Sequence, residues 1–269
     1  MARLTTLPIE IINEVIEKLE PIHRLTLRNV SRNFRTAVDS HGIGCEEAVM
    51  SLRPDNKVVL TIDGEQVVPF NNLDVILKDE LDDICVVFES EDQEKRRNLV
   101  KYLASTLKNL ENLENLCTVR NLEFNGLKAL EILLLLPFFN VQGSLHIERI
   151  TGVEKLEELV QLSQWKKVSR LNWYNQTVNV ALLGNFFHIP WFYIVVDSFS
   201  VDNAVGIRDD LLKNGSFQYC YIRFPDMEMN IPELARVFKP DYTDGESFEY
   251  GHAFTVTLNS SSFCIRRNE

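Results

Sequence analysis

The chain has 269 residues, of which 45% are hydrophobic and 25% are charged, and its formal net charge is −11. This composition is typical of one or two globular domains and excludes a disordered chain. The acidic balance argues against nucleic acid and against a membrane surface as partners, because both attract basic proteins. The five cysteines are widely spaced and show no ligand motif, so we expect reduced thiols, no metal and no cofactor.

The N-terminal sequence does not resemble a secretory signal, because acidic side chains occur where a signal peptide has its apolar segment. We therefore expect an intracellular protein, cytoplasmic or nuclear or both. The apolar stretch 178–196 contains Asn179, His188 and Pro190, which are costly inside a bilayer. We expect a short helix and a buried strand there, and no membrane span.

Three short helices are predicted in the first 41 residues. Leu7-Pro8 opens the first helix, and Pro21 ends it and begins the second, because proline is tolerated in a first helical turn. Ser31 is the expected N-cap of a third helix over 32–40. Such small helices cannot bury all of their apolar side chains, so part of this surface should face a partner or the rest of the chain.

This region, LPIEIINEVIEKLEPIHRLTLRNVSRNFRTAVDS, resembles an F-box throughout its spacing. Phe34 stands where the family often has tryptophan, which is a mild departure. F-boxes bind a Skp-type adaptor, which links them to the cullin scaffold of a ubiquitin ligase. The resemblance therefore implies that five residues face the adaptor: Leu7, Pro8, Ile12, Leu25 and Val30.

Four arginines recur at helical spacing in the same region and either meet acidic groups on a partner or lie on a solvated helix face. They are Arg24, Arg28, Arg32 and Arg35. After them, residues 46–83 are predicted to form a linker and a hairpin, with strands Val58–Ile62 and Gln66–Phe70 joined at Asp63-Gly64. A strand at Ile84–Phe88 and a long helix at 91–113 follow.

The remainder of the chain repeats. Short strands with period-2 alternation start 23, 26, 23 and 26 residues apart, at Leu122, Leu145, Leu171, Ile194 and Cys220. Helical stretches are predicted between them, at 126–136, 153–165, 180–187 and 202–213. A strand and a helix about every 25 residues predict an α/β fold, a leucine-rich-repeat-like βα solenoid with parallel strands. A helix at Ile231–Phe238 and a hairpin, Phe254–Leu258 with Phe263–Ile265, end the chain.

The F-box, the leucine-rich middle and the ending FTVTL and FCIR together resemble the nematode-expanded F-box A family, which carries a C-terminal FTH domain. The resemblance implies an F-box at 1–45 and an FTH, leucine-rich-repeat-like substrate-recognition domain at 84–269. The implied ligand is a target protein of unknown identity.

Alternation along the repeat strands predicts two rows of side chains on one open sheet face. One row is Glu123, His146, Asn172, Val195 and Tyr221, and the next is Asn125, Glu148, Tyr174, Asp197 and Arg223. Residue types favoured at binding hot spots select Tyr174, Tyr221 and Arg223 as the centre of the substrate site. The alternative is an exposed sheet that is simply solvated.

No nucleophile, phosphate-loop or metalloprotease motif occurs in the chain, so we expect no enzyme activity. The predicted function is that of the substrate-recognition subunit of a Skp–cullin–F-box ubiquitin ligase. The alternative is an F-box scaffold that bridges the Skp adaptor to a regulatory partner without any ligase role.

Overall fold

The fold is known from a computed structural model that describes residues 8–67, 73–78, 80–111, 116–150, 154–224 and 230–268. The chain divides into two compact units, Met1–Gly126 with Glu131–Gln142, and Leu127–Leu130 with Gly143–Glu269. Both units are mixed α/β. Parts of four sequence predictions lie outside the described residues: Leu7, the hairpin arm after Val67, the helix end at 112–113, and Val153.

Three helices begin the first unit, and the predicted local signals define their starts. Pro8 directly precedes the first helix, Pro21 is the first residue of the second, and the Ser31 hydroxyl accepts a hydrogen bond from the Phe34 N–H at 3.3 Å. The helices are α1 (Ile9–Glu17), α2 (Pro21–Arg28) and α3 (Arg32–His41). Their shared core contains Ile12, Ile16, Leu25, Phe34 and Val38.

The rest of the first unit is a sheet with helices. Its elements are β1 (Glu47–Leu52), β2 (Val58–Ile62), β3 (Glu65–Val67), α4 (Leu73–Ile76), β4 (Leu81–Phe88), α5 (Gln93–Glu111) and β5 (Cys117–Asn125). The strand order is β5-β4-β1-β2-β3, in which β5, β4 and β1 are parallel and the other pairs are antiparallel. The predicted hairpin is confirmed as far as Val67. Strand β1 lies in the segment predicted as a linker and was missed.

Next in the chain come α6 (Ala129–Leu135), a 3-10 turn (Leu136–Phe138) and β6 (Phe139–Glu148). The later strands are β7 (Arg170–Val178), β8 (Trp191–Val196), β9 (Tyr219–Arg223), β10 (Ser247–Tyr250), β11 (Phe254–Asn259) and β12 (Ser262–Arg267). The later helices are α7 (Leu156–Leu159), α8 (Val201–Asp209) and α9 (Ile231–Phe238), with 3-10 helices at Trp165–Lys167, Val180–Phe186 and Leu211–Lys213.

The second unit has the strand order β6-β7-β8-β9-β12-β11-β10. Strands β6 to β9 pair in parallel, which confirms the predicted parallel repeat strands. Strands β12, β11 and β10 are added antiparallel, so the predicted final hairpin continues the sheet. The final helix is confirmed at Ile231–Phe238. The leucine-rich-repeat-like solenoid stays a prediction.

One face of the second unit's sheet is covered. Its strand residues Leu171, Trp173 and Ile194 have no exposed surface. The connections pack on this face, where the indole ring of Trp173 lies 6.0 Å from that of Trp165 and 6.4 Å from the Phe186 ring, both edge to face. The helical segments within these connections are shorter than predicted, and several of them are 3-10 helices rather than α-helices.

Candidate functional site

The N-terminal helices present some of the predicted adaptor-facing residues and bury others. Val30 is 57% exposed and Pro8 is also exposed. Ile12 and Leu25 are each only 2% exposed. Their side chains fill the shared core and hold α1 and α2 against α3, and their predicted contact with the adaptor stays a prediction.

An apolar surface that the sequence reasoning did not single out lies on α1. Ile9, Ile11 and Val15 are exposed large hydrophobic residues. Ile11 and Val15 are four residues apart and lie on the same side of α1, whereas Ile9 lies on another side. We call Ile11, Val15 and Val30 together the apolar patch. The signal was present in the sequence, because α1 has apolar residues on more than one side, whereas a helix that packs on a single core needs one apolar stripe.

Two of the four predicted arginines are engaged within the helical module. The Arg24 guanidinium donates to the Leu19 carbonyl at 2.9 Å and to the Ile43 carbonyl at 3.1 Å. The Arg28 Nε donates to Asp39 Oδ1 at 2.6 Å and joins α2 to α3. The prediction that all four could meet a partner therefore narrows to Arg32 and Arg35, which are exposed.

The second candidate surface is the face of the second unit's sheet opposite the covered face. We call it the open face, and most of its residues are half-buried or exposed. Strand pairing places on it His146, Glu148, Arg170, Asn172, Tyr174, Trp191, Tyr193, Val195, Tyr219, Tyr221, Arg223, Cys264 and Arg266.

The rows on this face differ from the predicted ones by one step along β8. Asn172 pairs with Tyr193, and Val195 pairs with Arg223, so neither Val195 nor Asp197 occupies its predicted row. The cause is that β8 begins at Trp191, three residues before the predicted strand start at Ile194, so Asn172 pairs two residues earlier in β8 than predicted. A register shift in β7 between Asn172 and Thr177 then changes only the later pairings, so that Thr177 pairs with Val195. Glu123 and Asn125 belong to the first unit.

Aromatic rings stack across the strands of the open face. The ring centroid of Tyr193 lies 4.8 Å from that of Tyr174 and 5.1 Å from that of Tyr221. The planes of the Tyr193 and Tyr221 rings are within 2° of parallel. A second stack joins Trp191 to Tyr219 at 4.9 Å. We call these five residues the aromatic ladder. The predicted site residues Tyr174 and Tyr221 are thus brought together, through Tyr193, which the sequence reasoning missed.

Polar groups surround the ladder. The Tyr174 hydroxyl donates to Asn172 Oδ1 at 3.0 Å, and the Asn172 amide contacts the His146 ring nitrogens at 3.3 and 3.4 Å. Partial burial raises the pKa of Tyr174, and the neighbouring Tyr193 raises it further. Burial likewise raises the pKa of Tyr219, so both phenols stay neutral donors at ordinary pH. The predicted Arg223 is exposed beside Val195.

Two further properties concern membranes and metals. None of the described helices combines the length and the hydropathy needed to cross a bilayer. In the part of the chain that the structure describes, no three His, Cys, Asp or Glu side chains are grouped as metal ligands. The expectation that the fold needs no metal stays a prediction.

Comparison with known proteins agrees with the two sequence resemblances. The F-box domain family model matches residues 4–46, and the FTH domain family model matches residues 98–241, which is more than half of the chain. A curated relative, F-box A protein 224 of Caenorhabditis elegans, is 22% identical over 286 aligned positions that cover 91% of this chain and 72% of that protein. The chain is therefore an F-box protein and belongs to the FTH domain family.

Proposed function

We propose that this protein is the substrate-recognition subunit of a Skp–cullin–F-box ubiquitin ligase. The observation that carries the proposal is the presence of two chemically different surfaces in one F-box protein. The apolar patch lies on the N-terminal helices, and the aromatic ladder lies on the open face of the second unit's sheet. Each is suited to a different protein partner.

The apolar patch is the proposed docking surface for the Skp-type adaptor. Exposed isoleucine and valine side chains on a small module are costly in water unless a partner covers them. Ile12, Leu25 and the Ser31 cap act indirectly, because they fix the helices that display Ile11, Val15 and Val30. The cullin scaffold is reached through the adaptor.

The open face is the proposed surface for the target protein. Tyrosine, tryptophan and arginine are the residue types that dominate protein hot spots, and the ladder adds hydroxyl groups to the sheet surface. Stacking holds the rings before binding, so little side-chain entropy is lost when a partner contacts them. In this proposal the strand-and-connection units from β6 to β9 are a leucine-rich-repeat-like βα array that displays the ladder.

The proposed mechanism is an increase in effective concentration. The chain holds the ligase through one surface and the target through another, so a target lysine meets the ubiquitin-conjugating enzyme as if in an intramolecular reaction. The chain itself makes and breaks no bond in this scheme and needs no cofactor.

The adaptor surface is tested by charge substitution within the patch. Val15→Asp, and separately Val30→Asp, should abolish retention of the Skp adaptor in a pull-down, because an unpaired carboxylate would be buried in the interface. Both positions are exposed, so folding should survive. Leu25→Ala is unsuitable, since a cavity at this buried position would destabilise the module by about 2–5 kcal/mol.

Asn13→Asp is the matched control. Asn13 is exposed on α1 and lies on the other side of the helix from Ile11 and Val15. The substitution therefore adds the same negative charge outside the patch. This variant should retain the adaptor. Full adaptor retention by Val15→Asp and Val30→Asp would refute the proposed docking surface.

A ligase subunit and a scaffold differ in their effect on the target. When the protein is depleted from cells, a ubiquitination target should accumulate. An unchanged level of every specifically bound partner would favour the scaffold instead.

A further inference from the structure

The open face carries an unusual charge distribution for so acidic a chain. Strands β7, β8, β9 and β12 are neighbours in the sheet, and their sequences, RLNWYNQTV, WFYIVV, YCYIR and SFCIRR, contain four arginines and no aspartate or glutamate. The chain as a whole has 39 acidic and 28 basic residues. The ladder therefore lies in a locally basic strip of an acidic protein, with the acidic Glu148 of the neighbouring β6 beside Tyr174 at one edge.

Three arginines of this strip, Arg170, Arg223 and Arg266, are exposed on the open face. None of them forms an ion pair within the described residues. The Asp197 carboxylate that follows β8 is already engaged, since it accepts a hydrogen bond from the Val180 N–H at 2.9 Å. The three guanidinium groups thus keep their charge available for a partner.

Two of these arginines bracket the aromatic rings in one row. Pairing across the strands runs from Arg170 to Trp191, then to Tyr219, then to Arg266. The Arg170 guanidinium carbon lies 4.1 Å from the centroid of the Trp191 ring. Stacking of this kind holds the planar group while its N–H edges stay available to a carboxylate.

The orientation of the rings limits what can bind them. The Tyr193 and Tyr221 rings are parallel at 5.1 Å, a separation too short for rings lying side by side in one plane, so they stand on the sheet face to face. The facing sides of the two rings contact each other and are not available to a ligand. The edges and the hydroxyl groups remain, and neither hydroxyl has a hydrogen-bond partner among the described residues. This arrangement favours a hydrogen-bonding peptide over stacked nucleobases, which need free ring faces.

We propose that the open face binds an acidic, extended segment of the target protein, with carboxylates placed on Arg170 and Arg266 and the intervening residues lying on the ring edges. This inference rests on the proposed function and specifies the chemistry of its target. Arg170 and Arg266 are three strand spacings apart, or about 14 Å. An extended chain covers that distance in about four residues, so the acidic residues should recur at that spacing.

The test uses the full-length protein and a display library of random linear peptides. Selected peptides should be enriched in Asp and Glu about four positions apart, and replacing those acids by Gln or raising the salt concentration should weaken binding. No enrichment of acids, or no selected peptide at all, would overturn the inference. Tighter binding of a single-stranded oligouridylate than of the selected peptides would also overturn it.

Charge reversal supplies the matched comparison. The double variant Arg170→Glu with Arg266→Glu should bind the selected acidic peptides at least about tenfold more weakly, since two attractions become repulsions. Lys166→Glu with Lys167→Glu changes the net charge equally at two exposed positions outside the open face, and should bind as the wild type does. Equal losses in both variants would mean that only overall charge matters, which contradicts the inference.

The same variants separate this inference from the proposed function. If alanine substitution of the ladder removes a cellular target while the Arg170→Glu and Arg266→Glu variant keeps it, the open face binds the target and the acidic segment is refuted. If neither set of substitutions affects any target, the role of the open face itself fails.

Discussion

A buried ion pair in the first unit gives the sharpest prediction about stability. Arg96 of α5 is 2% exposed, and its guanidinium donates to both Glu131 carboxylate oxygens, at 3.2 and 2.6 Å. It also donates to the carbonyls of Ser90 at 3.2 Å and Gly126 at 2.9 Å. One side chain therefore satisfies the backbone at the ends of two strands and is neutralised by a third element.

The change in the free energy of unfolding depends on which charged group each substitution leaves in the buried site. Arg96→Met takes the guanidinium away from the buried Glu131 carboxylate, and Glu131→Leu takes the carboxylate away from the buried guanidinium, so each should lower the free energy of unfolding by about 3–5 kcal/mol. The double variant removes both charges and loses mainly the donors to two carbonyls. It should cost about 2–4 kcal/mol, well below the sum of the single changes.

Urea unfolding followed by circular dichroism measures these costs, and hydrogen exchange read by mass spectrometry should locate the loss in α5 and its neighbouring strands. Arg120→Met is the control, because Arg120 and Asp82 form an exposed pair at 3.4 Å in the same unit and should contribute little. Strict additivity of Arg96→Met and Glu131→Leu, or costs no larger than that of the control, would show that the buried ion pair does not stabilise the first unit as expected.

Three further predictions concern single positions. Gly126→Ala should destabilise the first unit by about 2–4 kcal/mol, because φ is +74° and a Cβ would lie 2.1 Å from the Phe88 carbonyl oxygen, and thermal unfolding checks this. Burial raises the pKa of the Cys117 thiol to about 12, so its thiolate favours the unfolded chain. Stability should then fall above about pH 9 by up to about 1.4 kcal/mol per pH unit, and urea titrations should show a shallower fall in Cys117→Ala. Ser31→Ala removes the hydrogen bond to the Phe34 N–H and should cost the helical module about 1 kcal/mol in the same assay.

Local chemistry made some elements predictable. Pro21 and Ser31 act on the residues beside them, so the starts of α2 and α3 could be derived without tertiary information. The final helix and hairpin were also recognisable from their periodicity. Strand β1 was missed although Ala48, Met50 and Leu52 alternate inward, because alanine and methionine favour strands weakly.

The candidate site was less accessible to sequence reasoning, because it depends on register. The shift in β7 includes Asn175 at φ +58°. Asparagine tolerates this left-handed conformation, but the presence of an asparagine does not predict it. The shift moves Thr177, rather than Tyr174, beside Val195. The pair of Asn172 with Tyr193 precedes this shift and reflects the start of β8 at Trp191, which the sequence did not reveal. The burial of Ile12 and Leu25 likewise depends on how three helices pack, which a family resemblance does not specify.

In the proposed function, the adaptor and the target occupy separate surfaces of one chain. Quantitative mass spectrometry of proteins co-purified with the wild type, with Val15→Asp, and with the triple alanine variant of Tyr174, Tyr221 and Arg223 tests it directly. We expect Val15→Asp to lose the Skp adaptor and the cullin but to keep the target, whereas the folded triple variant should lose the target and keep the adaptor. Separate surfaces would be contradicted if either folded variant retained both the adaptor and the target, or if each variant lost both of them.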